Sequence, residues 1–368
     1  MRRVFEESTL AGMRLRNRLV RSATWEGMAD TDGQVTDRLV DVYERLAAGG
    51  VGLIISSYMF VEPAGRQPPD QIGAHADELI PGLGRLAEAV HSRDGVLVGQ
   101  IVHCGGQATT SPDPVAPSAL QSPGYPKMPR ALATEEINGV ITAFAGAARR
   151  LKQAGFDGVQ LHGAHGYLLA QFLSPLRNRR HDRYGGSLEN RARFALEVFS
   201  AVRSEVGPEF PVMIKLNAHD FLESSTTEKD SAYLAALLAQ AGIDAIEVSG
   251  GTPGSGRLGA ARPDIETRED EAYFRPQARA IRAAAPDVPL MLVGGLRSLE
   301  VMDEILASGD ADYLSICRPL IREPDLPLRW QRGDRRRADC VSCLGCFGPT
   351  RRGEGVRCVQ VSPGAPAG

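Results

Sequence analysis

Eight short apolar runs recur along this chain, and segments of helical period separate most of them. The runs fall at residues 19–22, 53–57, 97–102, 158–162, 212–216, 245–249, 290–294 and 313–317. Helical patterns occupy residues 137–154, 191–206, 230–241, 273–285 and 299–308. Glycine stands where two of these helices should stop, at Ala154-Gly155 and Ala241-Gly242, because it enters the left-handed region at no steric cost. Apolar strands that alternate with helices demand a parallel sheet covered by those helices. Eight such units within 368 residues predict an α/β protein, a (β/α)₈ TIM barrel, with an open doubly wound sheet as the alternative.

A barrel of this kind places its chemistry at the C-terminal ends of its strands. Those ends are polar here: Gln100 and His103, His162, Lys215 and Asn217, Ser249-Gly250-Gly251, Gly294-Gly295, and Cys317-Arg318. Polar groups inside apolar runs cost free energy unless something binds them. The densest end is His162-Gly163-Ala164-His165-Gly166-Tyr167. Two imidazoles and a phenol supply hydrogen-bond donors and a proton source, and the interleaved glycines admit a substrate. After the last two strands, Gly294 and Gly295 offer bare backbone N–H groups and Arg318 a guanidinium, a set suited to a phosphate. The glycines at 250–256 read as a loop, since no helix follows them directly.

Charge and cysteine usage narrow the classes. Lys and Arg total 42 against 45 Asp and Glu, which gives no reason to expect nucleic acid or an anionic membrane as partner. The N-terminal residues lack the apolar core of a secretion signal. The apolar stretch at 51–61 is too short and too polar to span a bilayer, so a cytoplasmic protein is expected. Cys104 and Cys317 stand alone, whereas Cys340, Cys343, Cys346 and Cys358 sit together. Without a secretion signal that cluster reads as metal ligation rather than disulfides. Its spacing suits a [4Fe–4S] cluster, with zinc as the competitor. The arginine-rich run at 329–337 reads as a solvated face or a subunit contact; nucleic-acid binding beside a zinc knuckle is the alternative. Two regions are expected: the barrel, 1–330, and a Cys-rich extension, 331–368, packed on it.

From Arg16-Asn17-Arg18-Leu19-Val20 to the cysteines, the chain resembles the old yellow enzyme family of FMN-dependent NADH:flavin oxidoreductases. It resembles in particular the barrel domain of the branch containing 2,4-dienoyl-CoA reductase and trimethylamine dehydrogenase. The longest matching stretch runs from Gln171-Phe172-Leu173-Ser174-Pro175 through Arg183-Tyr184-Gly185-Gly186-Ser187-Leu188-Glu189-Asn190-Arg191. This resemblance implies FMN as cofactor and NAD(P)H as reductant. It implies that Ala23 and Thr24 contact the flavin, that Ser57 lies under the ring, that Gln100 bonds the pyrimidine edge and that Lys215 sits near N1 and O2. Gly294, Gly295, Cys317 and Arg318 would take the phosphate. His162 and His165 would hold a substrate carbonyl oxygen, Tyr167 would donate a proton, and Arg177 would lie near substrate.

The implied reaction is reduction of an activated C=C bond in an enone or enoyl thioester. A fixed cation favours reduced flavin, and two imidazole donors stabilise the developing enolate. Amine demethylation and a flavin/iron–sulfur electron-relay subunit are the alternatives. In the larger relatives a cluster passes electrons from appended domains; here, with the chain ending at Gly368, an electron-donor protein or a small reductant is expected, as is a homo-oligomer. Three positions depart from the family pattern: Lys215 for arginine, Trp25 for cysteine or threonine, and Cys317 for glycine.

Overall fold

The computed structural model describes residues 3–361; residues 1–2 of the expected barrel region and 362–368 of the expected extension lie outside the described set. Eight parallel strands close into a barrel in simple sequential order. They are β1 (Leu19–Arg21), β2 (Leu53–Phe60), β3 (Leu97–Val102), β4 (Gly158–Gly163), β5 (Val212–Asn217), β6 (Ala245–Ser249), β7 (Leu290–Val293) and β8 (Tyr313–Ile316). The ring closes through pairs such as Leu314 with Leu19 and Ile214 with Ile246. The TIM barrel is therefore the architecture, and the open sheet is excluded.

Seven long helices cover the outside of the described barrel: α1 (Asp37–Ala48), α2 (Ile80–His91), α3 (Thr134–Gln153), α4 (Leu188–Val206), α5 (Glu228–Gln240), α6 (Arg275–Ala284) and α7 (Leu299–Ser308). The glycine turn in the long family-like stretch does what its residues suggest. Gly186 takes φ 77°, and the Ser187 hydroxyl then accepts the Asn190 N–H to cap α4. After β8 come two short helices, Arg318–Arg322 and Leu326–Gln331. Among the described residues no helix is long and apolar enough to cross a membrane.

Two large apolar clusters hold the fold. One lies between helices and strands and includes Phe144, Phe172, Phe194 and Trp330. The other fills the lower barrel: Val20, Leu53, Ile55, Val98, Met213, Ala245, Met291 and Tyr313. It is capped from below by Leu10, Met13 and Leu15 of an N-terminal hairpin. The interior is thus sealed at its N-terminal end and open only toward the C-terminal ends of the strands.

The cysteine-rich end packs on this opening. Ala338 N–H donates to the Arg297 carbonyl at 2.9 Å, and Val356 N–H to the Glu26 carbonyl at 2.7 Å. The arginine-rich run before it is largely paired within the chain. Arg329 bonds Glu323, Arg335 Asp303, Arg336 Asp334, and Arg337 Glu271.

Candidate active site

Side chains in a strand alternate between faces, so every second residue points into the barrel. Reading upward from the apolar layer gives the next inward positions: Ser22 above Val20, Gln100 above Val98, Lys215 above Met213, Glu247 above Ala245, and Ser315 above Tyr313. The apolar floor is therefore followed by a polar layer made by the same strands.

Strand β2 breaks this alternation. Ile55 pairs with Val98, but the next pair is Tyr58 with Gln100, so the strand bulges at Ser56-Ser57. A bulge inserts one residue and re-aims the side chains beyond it. The Ser56 hydroxyl accepts the Gln100 N–H at 3.0 Å. The Ser57 N–H donates to the Tyr43 hydroxyl at 2.7 Å. As a result Tyr58 lines the mouth and Ser57 does not.

The polar layer is one connected network. Lys215 Nζ lies 3.2 Å from Glu247 Oε2 and donates to Ser22 Oγ at 2.7 Å. Ser22 Oγ donates in turn to Glu247 Oε1 at 2.7 Å. Gln160 Nε2 donates to Glu247 Oε2 at 3.0 Å, and Gln100 Nε2 to Gln160 Oε1 at 2.7 Å. Gln100 Oε1, although buried, has no partner. An acceptor left bare inside a barrel is costly unless a ligand donor meets it.

Above the network lies a cavity of about 540 Å³, a size typical of cofactor and ligand sites. His162, His165 and Tyr167 all line it. The imidazole centroids are 5.0 Å apart, and the His162 and Tyr167 rings meet edge to face at 4.8 Å. Burial and the Lys215 charge hold the His165 pKa down to about 3. Burial, with His165 and then Lys215 adding to it, holds His162 well below the usual histidine range. Both rings are therefore neutral near pH 7. The Ala164 N–H donates to His162 Nδ1 at 3.3 Å; this assigns the ring proton to Nε2, which can donate. His165 Nε2 lies 2.8 Å from Ser249 Oγ.

His165 adopts φ 57° and Gly166 φ 75°, so the turn carrying the imidazole is left-handed. Such a conformation persists at a non-glycine residue only where the surroundings hold it. The side-chain amide of Gln107 donates to both the His165 and Gly166 carbonyls, at 3.1 and 2.6 Å. The Gln171 amide donates to the Gly166 carbonyl at 2.6 Å.

Tyr167 belongs to a phenol cluster. Its hydroxyl and that of Tyr58 both donate to Gln67 Oε1, at 3.0 and 2.9 Å. Gln67 Nε2 donates to the Tyr125 hydroxyl at 2.6 Å. Burial raises the Tyr167 pKa well above the ordinary phenol value, so the group keeps its proton at neutral pH.

Gly295, Arg297, Ser315, Cys317 and Arg318 line the opposite end of the site. Arg318 donates to the Arg262 and Ser342 carbonyls, at 2.9 and 3.3 Å. The Nε of Arg297 and the Oγ of Ser315 are buried without partners. Among the described residues the lining includes Lys215, Arg297, Arg318 and Arg351 but no Asp or Glu. A bare acceptor at Gln100, a cation at Lys215 and unspent donors beside Gly295 and Arg318 are chemically suited to FMN: a pyrimidine edge, a ring gaining negative charge, and a phosphate.

The expected site residues are not all brought together. Ala23, Thr24, Gln100, Lys215, Gly295, Cys317, Arg318 and the His162/His165/Tyr167 set line the cavity. Gly294 is not in the lining, although Val293 and Gly295 on either side of it are, and its carbonyl accepts the Tyr273 N–H at 3.2 Å. Arg177 lines a separate small cavity with Gln107 and Asp220 and bonds the Gln121 carbonyl at 2.8 Å. Ser249, read as a polar strand end, lines the main cavity too, and Tyr58, Gln67, Tyr125, Arg297 and Arg351 line it without having been foreseen. Of these, only Tyr58 carried a usable signal, as a bulky residue on a recognisable strand.

The four clustered cysteines line one small cavity beside Arg318. Among the described residues, however, no three His, Cys, Asp or Glu side chains are gathered closely enough to hold a metal ion. The expected metal–thiolate arrangement is therefore not formed, and no chemistry is derived through one.

A model describing the NADH:flavin oxidoreductase / NADH oxidase family matches residues 3–336. The chain belongs to that family. It is 36% identical, over 94% of its length, to the NADH oxidase of Thermoanaerobacter brockii, of which it spans about half, 53%. It is also 36% identical to the NADPH dehydrogenase of Geobacillus sp. strain WCH70, covering 88% of this chain and 92% of the relative. Among solved structures, 2-naphthoyl-CoA reductase in complex with 2-naphthoyl-CoA superposes with a TM-score of 0.88 at 29% identity, over 98% of this chain and 57% of that one. The old yellow enzyme resemblance is borne out at the level of the family.

Proposed function

We propose that this protein is an FMN-dependent oxidoreductase of the ene-reductase type, using NAD(P)H to reduce an activated C=C bond. The observation that carries the reading is the convergence of two neutral imidazoles and one protonated phenol in a single cavity above a buried cation. FMN, when bound, supplies hydride to an electron-poor alkene. His162 and His165 then act as fixed donors to the carbonyl oxygen where negative charge develops, and a neutral pair does so without the repulsion of two cations. Tyr167 holds the proton for the α-carbon and is oriented by Gln67. Lys215 would be the cation beside the cofactor's pyrimidine, and Arg318 with Gly295 would anchor its phosphate.

An enone or an enoyl thioester meets these demands. The likeness to a reductase holding a naphthoyl thioester supports the second. The cysteine-rich region, taken as 331–368 beside a 1–330 barrel, supports placement in the dienoyl-CoA reductase branch. A [4Fe–4S] cluster, with zinc as alternative, is the corresponding finer proposal; its support is the spacing of Cys340, Cys343, Cys346 and Cys358 in the sequence, the described side chains not being gathered around a metal position. A partner electron donor would follow from it.

The test is an absorbance spectrum of the purified protein with iron and zinc analysis, then anaerobic NADH or NADPH oxidation with 2-cyclohexenone. Flavin absorbance and stoichiometric loss of the alkene are expected. Protein that stays colourless with added FMN would overturn the reading.

A further inference from the structure

Among the described residues four cations line the cavity: Lys215 and Arg318 have a place in the proposed function, and Arg297 stands beside Arg318 with an unpartnered Nε. The fourth, Arg351, has no such place. It ends a short helix, Phe347–Arg351, in the cysteine-rich region, and both Phe347 and Arg351 line the cavity. The helix is seated firmly. Thr350 is 1% exposed, and a Cβ at Gly27 would lie 2.2 Å from its methyl group. The stretch after the helix is held by the Val356–Glu26 bond and by Arg38 on the Glu354 carbonyl.

Nearby arginines of this segment have a carboxylate partner: Arg352 and Arg357 share Glu354. Arg351 has no such carboxylate among the described residues, and the cavity wall provides none. Its end of the cavity is also identifiable. Thr350, the residue before Arg351, packs on Gly27, and Trp25, two residues before Gly27, packs with Tyr167 on the Tyr58 cluster. Arg351 therefore lines the cavity from the Trp25 and Tyr167 side, where the alkene would lie.

We infer that Arg351 is an anion-binding residue at the substrate end of the cavity, taking a carboxylate or phosphate carried by the molecule that enters there. An unpaired guanidinium suits such groups because it presents a planar fork of donors. The inference rests on the ene-reductase reading for the orientation of the cavity. The anion has two possible sources, the alkene substrate or the diphosphate of the nicotinamide dinucleotide.

The experiment uses the full chain loaded with FMN, as wild type, R351Q and R351K. KM and kcat are measured for 2-cyclohexenone, for 4-oxo-4-phenylbut-2-enoate, and for NADH and NADPH. In parallel, benzoate and benzamide are titrated by quenching of tryptophan fluorescence, since Trp25 lines the cavity. R351Q should raise KM for the carboxylated enone about tenfold at low salt, with kcat and the 2-cyclohexenone constants unchanged. R351K should recover part of the loss. A rise confined to NADH and NADPH would support the site with the dinucleotide as the anion. Equal effects on charged and neutral ligands, or none, would overturn it. If no alkene is reduced but R351Q weakens benzoate and not benzamide, the anion site stands and the ene-reductase reading falls.

Discussion

Lys215 and Glu247 face each other inside the barrel with 3.2 Å between ammonium and carboxylate, at 3% and 0% side-chain exposure. Burying such a pair is expensive, and removing one partner leaves an uncompensated charge. E247A should therefore cost about 3–5 kcal/mol in denaturant unfolding of the apoprotein. The K215M/E247L double variant should lose less than the sum of the single variants. Additive losses would mean the two charges do not depend on one another.

Glu247 also decides how much of the Lys215 charge reaches the cavity. In the FMN-loaded protein, E247Q should raise the flavin reduction potential, because the cation is then no longer offset, and K215M should lower it. Potentiometric titration reads both directions. A shift of the same sign in both variants would exclude this arrangement.

Tyr167 is the proposed proton source, held by Gln67 Oε1 at 3.0 Å. Y167F should reduce alkene turnover by about 10²–10⁴-fold while leaving anaerobic flavin reduction by NAD(P)H unchanged. Single-turnover kinetics of the two half-reactions separate these. Undiminished alkene reduction would assign the proton to another group.

Acid should weaken the fold through His165. Its folded pKa is about 3 against an ordinary value of 6.5, so the unfolded chain binds the extra proton between those limits. The stability it contributes is present above pH 6.5 and is lost as pH falls toward 3. Thermal unfolding from about pH 7.5 to about pH 4 should show a steeper acid loss in wild type than in H165N. Parallel profiles would mean that His165 is not desolvated.

Gly27 is required twice, by φ +62° and by the 2.2 Å approach that a Cβ would make to Thr350. G27V should lift the Phe347–Arg351 helix off the barrel. Limited proteolysis should then cut the cysteine-rich region faster while the barrel survives; an unchanged digestion pattern would show that the contact is dispensable.

The periodic pattern of apolar runs was enough to name the barrel, because strand and helix periods are local properties and closure follows from their number. Inward positions near strand ends, such as His162, Lys215 and Gln100, were legible for the same reason: a polar residue at an apolar position announces a site. Three kinds of fact were not local. The β2 bulge exchanges Ser57 for Tyr58 through pairing with β3. Glu247 reads in sequence as one more charge and becomes the Lys215 counter-ion only when β5 and β6 lie side by side. Tyr125 reaches the cavity from a distant loop and Arg351 from a short helix, and Arg177 is turned away into its bond with the Gln121 carbonyl. Sequence alone determined which elements form and the order in which they close; tertiary contact decided which side chains share one volume, because that depends on pairing register and on chain segments hundreds of residues apart.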